Sequence, residues 1–201
     1  MIKVSPLSEL IELIHASEIL CGQSRIICID GPAGSGKTTL AKNISDLLNV
    51  CPIIHMDEIY DGWDNALTEK TTLNLINWII DPTLKKEPIV YKKFDWQLMQ
   101  RTPEVVIKCP QYLIIEGVGS VVPGVSQYSS LDIWIEVNPE VGLNRVLTRD
   151  GNQISDQMQK WQKMESIHFL DYNTKENCEI WIEGDPVEKI DTSSQFVRTN
   201  R

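Results

Sequence analysis

Short apolar runs alternate along this chain with longer stretches in which apolar residues return every three or four positions. Residues 25–30, 51–56 and 111–117 are runs of the first kind. They lack the polar alternation of a strand with one wet face and are expected in a sheet covered on both sides. Residues 131–137 and 179–182 complete a set of strands. Helical spacing appears between them. In 39–48 it is carried by Leu40, Ala41, Ile44, Leu47 and Leu48. In 68–80 it is carried by Leu73, Ile76, Trp78, Ile79 and Ile80, and Asp81-Pro82 is expected to stop that helix. A further helix starts at Pro139 and ends near 149–151, and another runs from 155 to about 170.

At the front, Ser5-Pro6 reads as N-cap and first helical residue. The N-terminal helix predicted within 1–22 has a stripe of Leu7, Leu10, Ile11, Ile14 and Leu20, with Glu9, Glu12 and Glu18 on the other side. Residues 88–108 break the alternation. There 88–91 and 104–108 read as strands of a small antiparallel hairpin, an insert over the substrate end of the sheet. The tail, 192–201, is expected to be loose. Strands alternating with helices predict an α/β fold: a doubly wound five-stranded parallel sheet with helices on both faces, a small β-hairpin insert and a lid. One domain over 1–201 suits the length.

Composition narrows the setting. Hydrophobic residues make up 42% of the 201, enough for a real core. A net charge of −9 argues against nucleic acid or an anionic membrane as partner. Five cysteines, an odd number without a CxxC pair, suit reduced thiols and a cytoplasmic location. Cys28, Cys51 and Cys178 read as small core residues, and the spacing is not that of a zinc site. The charges on the first helix exclude a secretory leader, and no stretch reaches membrane-spanning length. The apolar side of that helix leaves self-association as a homo-oligomer open.

The chemistry begins at Gly31-Pro32-Ala33-Gly34-Ser35-Gly36-Lys37-Thr38, which fits G-x-x-x-x-G-K-[ST] between a predicted strand and a predicted helix. Glycines let successive amides turn inward around phosphate oxygens, and the helix that follows, from Thr39 on, adds the positive end of its dipole. Lys37 is placed for the β- and γ-phosphates and Thr38 for Mg²⁺. Two acids end predicted strands: Asp57 after 51–56, and Glu116 in 111–117. In open α/β sheets ligands bind beyond the carboxyl ends of the strands, so both fall on the rim of the phosphate loop.

Taken together, His55-Met56-Asp57-Glu58-Ile59-Tyr60, Phe94-Asp95-Trp96, Ile115-Glu116-Gly117 and Arg145-x-x-x-Arg149-Asp150 resemble the uridine kinase/phosphoribulokinase-type P-loop kinases, especially the short bacterial uridine kinase-like proteins. The resemblance covers about residues 25–185. It implies that Asp57 is the base toward an acceptor hydroxyl and that Tyr60 lines the acceptor pocket. It also implies that Asp64 binds ribose hydroxyls, and that Phe94, Asp95, Trp96 and Arg101 form the acceptor-side element. Glu116 then holds water on Mg²⁺, with Thr38 and Asp57 on the metal side, and Arg145 and Arg149 are lid arginines, the lid and the helix following it spanning about 149–170. Plainer readings stand beside these. Asp57 can cap a helix, with Glu58 in its place as the acid. Asp64 can be a loop acid, Phe94 and Trp96 the core of the insert, and the two arginines partners of a helix dipole. Trp161, Glu165, His168 and Phe169 fall on the helix after the lid, where core packing is the first reading and closure over the site the alternative. The sequence departs from the family at Met99, which stands where a base-reading His is expected.

The expected activity is transfer of the γ-phosphate of ATP, with Mg²⁺, to an alcohol of a uridine- or cytidine-like nucleoside or a similar small molecule. Arginines that would hold a phosphorylated acceptor are scarce between the phosphate loop and the lid, Arg101 standing alone there, which favours an uncharged acceptor. The alternatives are a nucleotide-binding switch NTPase with a protein partner, and a transferase acting on a peptide, a cofactor precursor or another small acceptor.

Overall fold

The computed structural model describes residues 3–199. Strand β1 (Lys3–Pro6) runs into α1 (Leu7–Ala16), and β2 (Arg25–Asp30) leads through the glycine-rich loop into α2 (Lys37–Leu47). β3 (Ile53–His55) is followed at once by a single turn, α3 (Met56–Ile59). Then come α4 (Glu69–Leu75) and α5 (Asp81–Leu84), the hairpin of β4 (Ile89–Asp95) and β5 (Gln100–Ile107), β6 (Tyr112–Glu116) and α6 (Pro123–Ser126). The last third is β7 (Leu131–Glu136), α7 (Pro139–Asp150), α8 (Ser155–Tyr172), α9 (Thr174–Asn177), β8 (Ile180–Glu183) and β9 (Gln195–Thr199).

The main sheet has the order β1-β9-β8-β7-β2-β6-β3. Its five expected strands, β3, β6, β2, β7 and β8, are parallel neighbours. β2 lies in the middle, between β6 and β7, so the loop that follows it opens at the centre of the rim. Alternation along β2 divides the core. Ile26 and Cys28 pack with Ile54, Leu113, Ile115 and Trp134 on one face. Ile27 and Ile29 pack with Ile14, Ile44, Ile114 and Ile133 on the other. The uniformly apolar spelling of the central strands follows from this two-sided burial.

Three expectations need correction. Pro6 does not begin the helix: its φ of −70° and ψ of 148° are extended. A proline φ is the same in both states, so only its neighbours decide. Here Ser5 and Pro6 pair with Phe196 and Gln195. The missing amide of Pro6 is tolerated because β1 is an edge strand. The helix then ends at Ala16, leaving Leu20 outside it and exposed. The tail is not loose, since β9 joins β8 and β1 antiparallel and buries Phe196 and Val197. Finally, Asp81-Pro82 does not end the helix of 68–80. A π-turn at Ile76–Ile80 carries the chain on into α5. The wider turn shifts the hydrogen-bond register just before a residue that cannot donate, and the Thr83 hydroxyl bonds the Ile79 carbonyl at 2.6 Å. Among the described residues no helix is long and apolar enough to cross a membrane.

Candidate active site

The phosphate loop is held from behind. Buried Asp30, the last residue of β2, accepts from the amides of Gly31 (2.7 Å), Gly119 (3.0 Å) and Val121 (2.9 Å), locking the loop to the segment after β6. Burial pushes its carboxyl up to about 6, against the pull of those amides and of Lys37. A Cβ on Gly34 would meet the Gly142 carbonyl at 2.3 Å, so α7 seats directly on the loop. Gly34 also has a φ of +78°, which a side chain would resist. Among the described residues the amides of Gly34, Gly36, Lys37 and Thr38 have no acceptor. They are the free donors at the start of α2 that an anion would use. Lys37 reaches the carbonyls of Gly31 (2.6 Å) and Pro32 (2.8 Å). Burial lowers its pKa, while Asp30, Glu116 and Glu165 act to keep it charged.

The facing wall comes from β6, β3 and α3. The Thr38 hydroxyl donates to Glu116 Oε1 at 3.0 Å, and His55 Nδ1 lies 2.5 Å from the same oxygen. That bond to Glu116 raises the His55 pKa. His55, at the N-cap position, leaves Asp57 inside the first turn of α3, so Asp57 is not the cap. Burial raises the Asp57 carboxyl, as do Glu116 and Glu58, while His55 opposes them. Arg149, at the end of α7, pairs with Asp150 through two hydrogen bonds of 2.8 and 2.6 Å. Thr38, Asp57, Glu58, Glu116, Phe94 and Arg149 share a cavity of about 530 Å³. The oxygens of Thr38, Asp57 and Glu116 are the hard donors that Mg²⁺ prefers, with room for water and phosphate as the remaining ligands.

A larger cavity of about 800 Å³ adjoins it, bounded by the phosphate loop at one end and by Tyr60, Trp63, Trp96, Met158 and Trp161 at the other. Its aromatic rings form a chain. Centroids lie 5.6 Å apart for Tyr60 and Trp161, 5.7 Å for Trp161 and Trp63, 5.0 Å for Trp63 and Trp96, and 5.1 Å for Trp96 and Phe94. The Tyr60 hydroxyl is anchored on the Val118 carbonyl at 2.6 Å, and the Trp96 indole donates to the Asp57 carbonyl at 2.9 Å. The hairpin is thus fastened to the helix that carries Asp57.

Several expected residues stand elsewhere. Asp64 is exposed and lines neither cavity. Asp95 accepts from the amides of Gln97 and Leu98, both at 2.9 Å, and shapes the hairpin turn. Met99, in that turn, is 57% exposed and lines neither cavity. Arg101 turns away from both cavities. Its guanidinium donates to the carbonyls of Glu58 (2.8 Å), Ile59 (2.7 Å) and Tyr60 (2.9 Å), the unpaired end of α3. It also stacks on Trp78 and Phe94. Glu58, the alternative acid, is taken by Tyr91 (2.6 Å) and Lys93 (2.5 Å) of β4. Arg145 reaches the larger cavity but is paired with Asp185 at 2.6 Å and with the Gly184 carbonyl at 2.9 Å.

Sequence reasoning tied two loop-holding acids to no role at the phosphate loop. Asp30 was readable as a charge at the end of an apolar strand. Glu165, on α8, is 3% exposed and accepts from the Ala33 amide at 3.0 Å. Its signal was a single acid on the side of α8 that also buries Trp161 and His168.

No family model matches the chain, and no curated protein matches it. Solved structures do. A possible uridine kinase from Bacillus stearothermophilus matches with a TM-score of 0.64 at 16% identity, over 87% of this chain and 96% of its own. A candidate fructose transport system kinase from Silicibacter sp. TM1040 matches with a TM-score of 0.60 at 17% identity, over 82% and 92%. At these identities the shared property is the fold, an α/β arrangement of a mainly parallel sheet and its helices that this chain has in common with those two kinase structures.

Proposed function

We propose that the protein is an ATP- and Mg²⁺-dependent phosphotransferase of the cytoplasm, acting on the alcohol group of a small uncharged acceptor such as a nucleoside. One observation carries this reading. The Asp57 carboxylate shares a cavity with Thr38 and Glu116 of the phosphate side, and an aromatic pocket opens beside it. A switch NTPase has no use for an acid facing an apolar pocket across from its phosphate loop.

The free amides of Gly34, Gly36, Lys37 and Thr38, with the Lys37 ammonium, hold the triphosphate, and Pro32, Ala33, Ser35 and Thr39 shape the turn. Thr38 and Glu116, with Asp57 beside them, hold Mg²⁺, which when bound offsets charge on the phosphate oxygens. Asp57 accepts the hydroxyl proton as the acceptor oxygen bonds to the γ-phosphorus and the bond to the β-phosphate oxygen breaks, releasing ADP. Its raised carboxyl brings it nearer to working pH, which favours a general base. Arg149 lies close enough to Asp57 and Glu116 to answer charge building on the transferring group. Arg145, tied to Asp185, serves the far end of the nucleotide. Tyr60, Phe94, Trp96 and Trp161 wall the acceptor.

Among the described residues no lysine or arginine of the acceptor end lines either cavity. Arg101 and Lys93 are both committed to α3, and the cations lining the two cavities, Lys37, Arg145 and Arg149, belong to the loop and α7. A phosphorylated or acidic acceptor would lack a counter-charge there. The test is ADP release from ATP-Mg²⁺ with a panel of nucleosides, vitamins and sugars. At least one neutral hydroxyl compound is expected to raise turnover well above the hydrolysis background. If none does, or if only phosphorylated acceptors do, the reading falls.

A further inference from the structure

Glu165 is a buried acid that lines neither cavity. It touches the phosphate loop from behind, at the Ala33 amide, while Ala33 itself lines the larger cavity. A buried carboxylate is costly unless several donors surround it. The contrast with Asp30 is direct, for Asp30 receives three backbone amides and Glu165 one. The groups facing Glu165 are Lys37 from α2, Asp30 from β2 and Tyr60 after α3, with His168 one turn further along α8. Of these only Lys37 carries positive charge toward it. Tyr60 is buried and held neutral, and burial brings the His168 pKa down to about 4, so that ring is neutral as well.

A triphosphate at the loop changes this balance in two ways. It brings several negative charges to the opposite side of Ala33, and it engages the ammonium of Lys37. Both disfavour a charged Glu165, and the Trp161 side chain, which hydrogen-bonds it from α8, brings no positive charge to compensate. We propose that Glu165 is a positioning residue that ties the helix behind the lid to the phosphate loop and takes up a proton from solvent when the triphosphate binds, so that nucleotide affinity is linked to pH. Burial already brings its carboxyl up to about 7, so the linkage falls in the physiological range.

The inference rests on the donor half of the function proposed above. A further rise of about one unit on binding gives uptake of about half a proton per nucleotide at pH 7.5. The sign is fixed by the direction of the rise: affinity is highest below the free-state value and falls as pH passes through the bound-state value. Glu165→Gln, which mimics the protonated acid, is expected to bind MgATP about tenfold more tightly than the wild type at pH 9 and equally at pH 6. The experiment is calorimetric titration of the full chain with MgATP at pH 7.5, in two buffers of different ionisation heat, followed by affinities across pH. Wild-type binding without proton uptake overturns the proposal, as does equal uptake by Glu165→Gln. If that variant does not fold, the wild-type measurement decides alone. If the wild type does not bind MgATP, the donor-site reading fails and this inference with it, whereas binding without uptake overturns this inference only.

Discussion

The two halves of the candidate site are built in opposite ways. The donor half is eight consecutive residues, 31–38, running from the end of β2 into the first turn of α2, and its working groups are mostly backbone amides. The acceptor half is made of side chains from α3, the β4–β5 hairpin and α8, segments far apart in sequence. A backbone cradle is specified locally, by glycines at fixed offsets. A pocket of packed rings is specified by which elements meet, and a residue can change its job by turning away from the cavity. Arg101 shows this. It looked like a substrate ligand and instead clamps the carbonyl end of α3.

The sharpest way to separate the halves is Asp57→Asn. It should lower kcat by about 10²- to 10⁴-fold, the usual share of a general base, with MgATP affinity within about twofold of wild type. Steady-state kinetics beside calorimetry tests this, and an unchanged kcat would remove Asp57 from the chemistry. Next comes Arg101→Ala. Losing the charged hydrogen bonds to the end of α3 should cost about 2–4 kcal/mol of stability, read from urea unfolding, and raise acceptor KM with MgATP affinity unaltered. Lysine at this position should rescue little, because a single ammonium cannot span three carbonyls. Full stability with raised KM would instead make Arg101 a direct ligand.

A variant remote from both halves sets the baseline. Buried Asp132 in β7 has one carboxylate oxygen without a hydrogen-bond partner among the described residues, and burial pushes its carboxyl up to about 6. An acid raised on folding gives its full stability below the unfolded value near 4 and loses it as pH climbs through 6. Asp132→Asn should therefore melt higher than wild type at pH 8, by about 2 kcal/mol, with the gap closing by pH 4. A gap independent of pH would assign the effect to packing. The smallest effect is expected from Asp64→Asn, within about twofold in acceptor KM. A tenfold rise would return Asp64 to the pocket.

What the sequence showed and what it hid follow the same division. The five parallel strands, the phosphate loop and the hairpin were legible because each is written in adjacent residues, as in Ile26-Ile27-Cys28-Ile29 or Gly34-Ser35-Gly36-Lys37. Asp57, Glu116 and Thr38 were legible as rim residues because strand ends map to one edge of a parallel sheet. Asp95, Arg101 and Glu58 were misread or left open because their partners are set by how the hairpin lies on α3. β9 was missed because a buried Phe196-Val197 pair is too short to announce a strand. Glu165 was read as packing within its helix or closing over the site, and only the meeting of α8 with Ala33 ties it to the phosphate loop.

The outer edge of the sheet carries a consequence for how the molecule is assembled. β1 has a single neighbour, β9, with Lys3 opposite Arg198. A chain emerging from the ribosome can form the phosphate loop and its central strands while β1 still waits, with its first partner almost the whole sequence away. Closing a loop of that length adds only a logarithmic entropy cost, so the pairing is affordable once β8 offers a template, but it cannot nucleate anything. β1 is therefore among the last elements to find its place. Removing residues 195–199 should leave the nucleotide loop folded, yet expose β8 as a new open edge prone to pairing between chains.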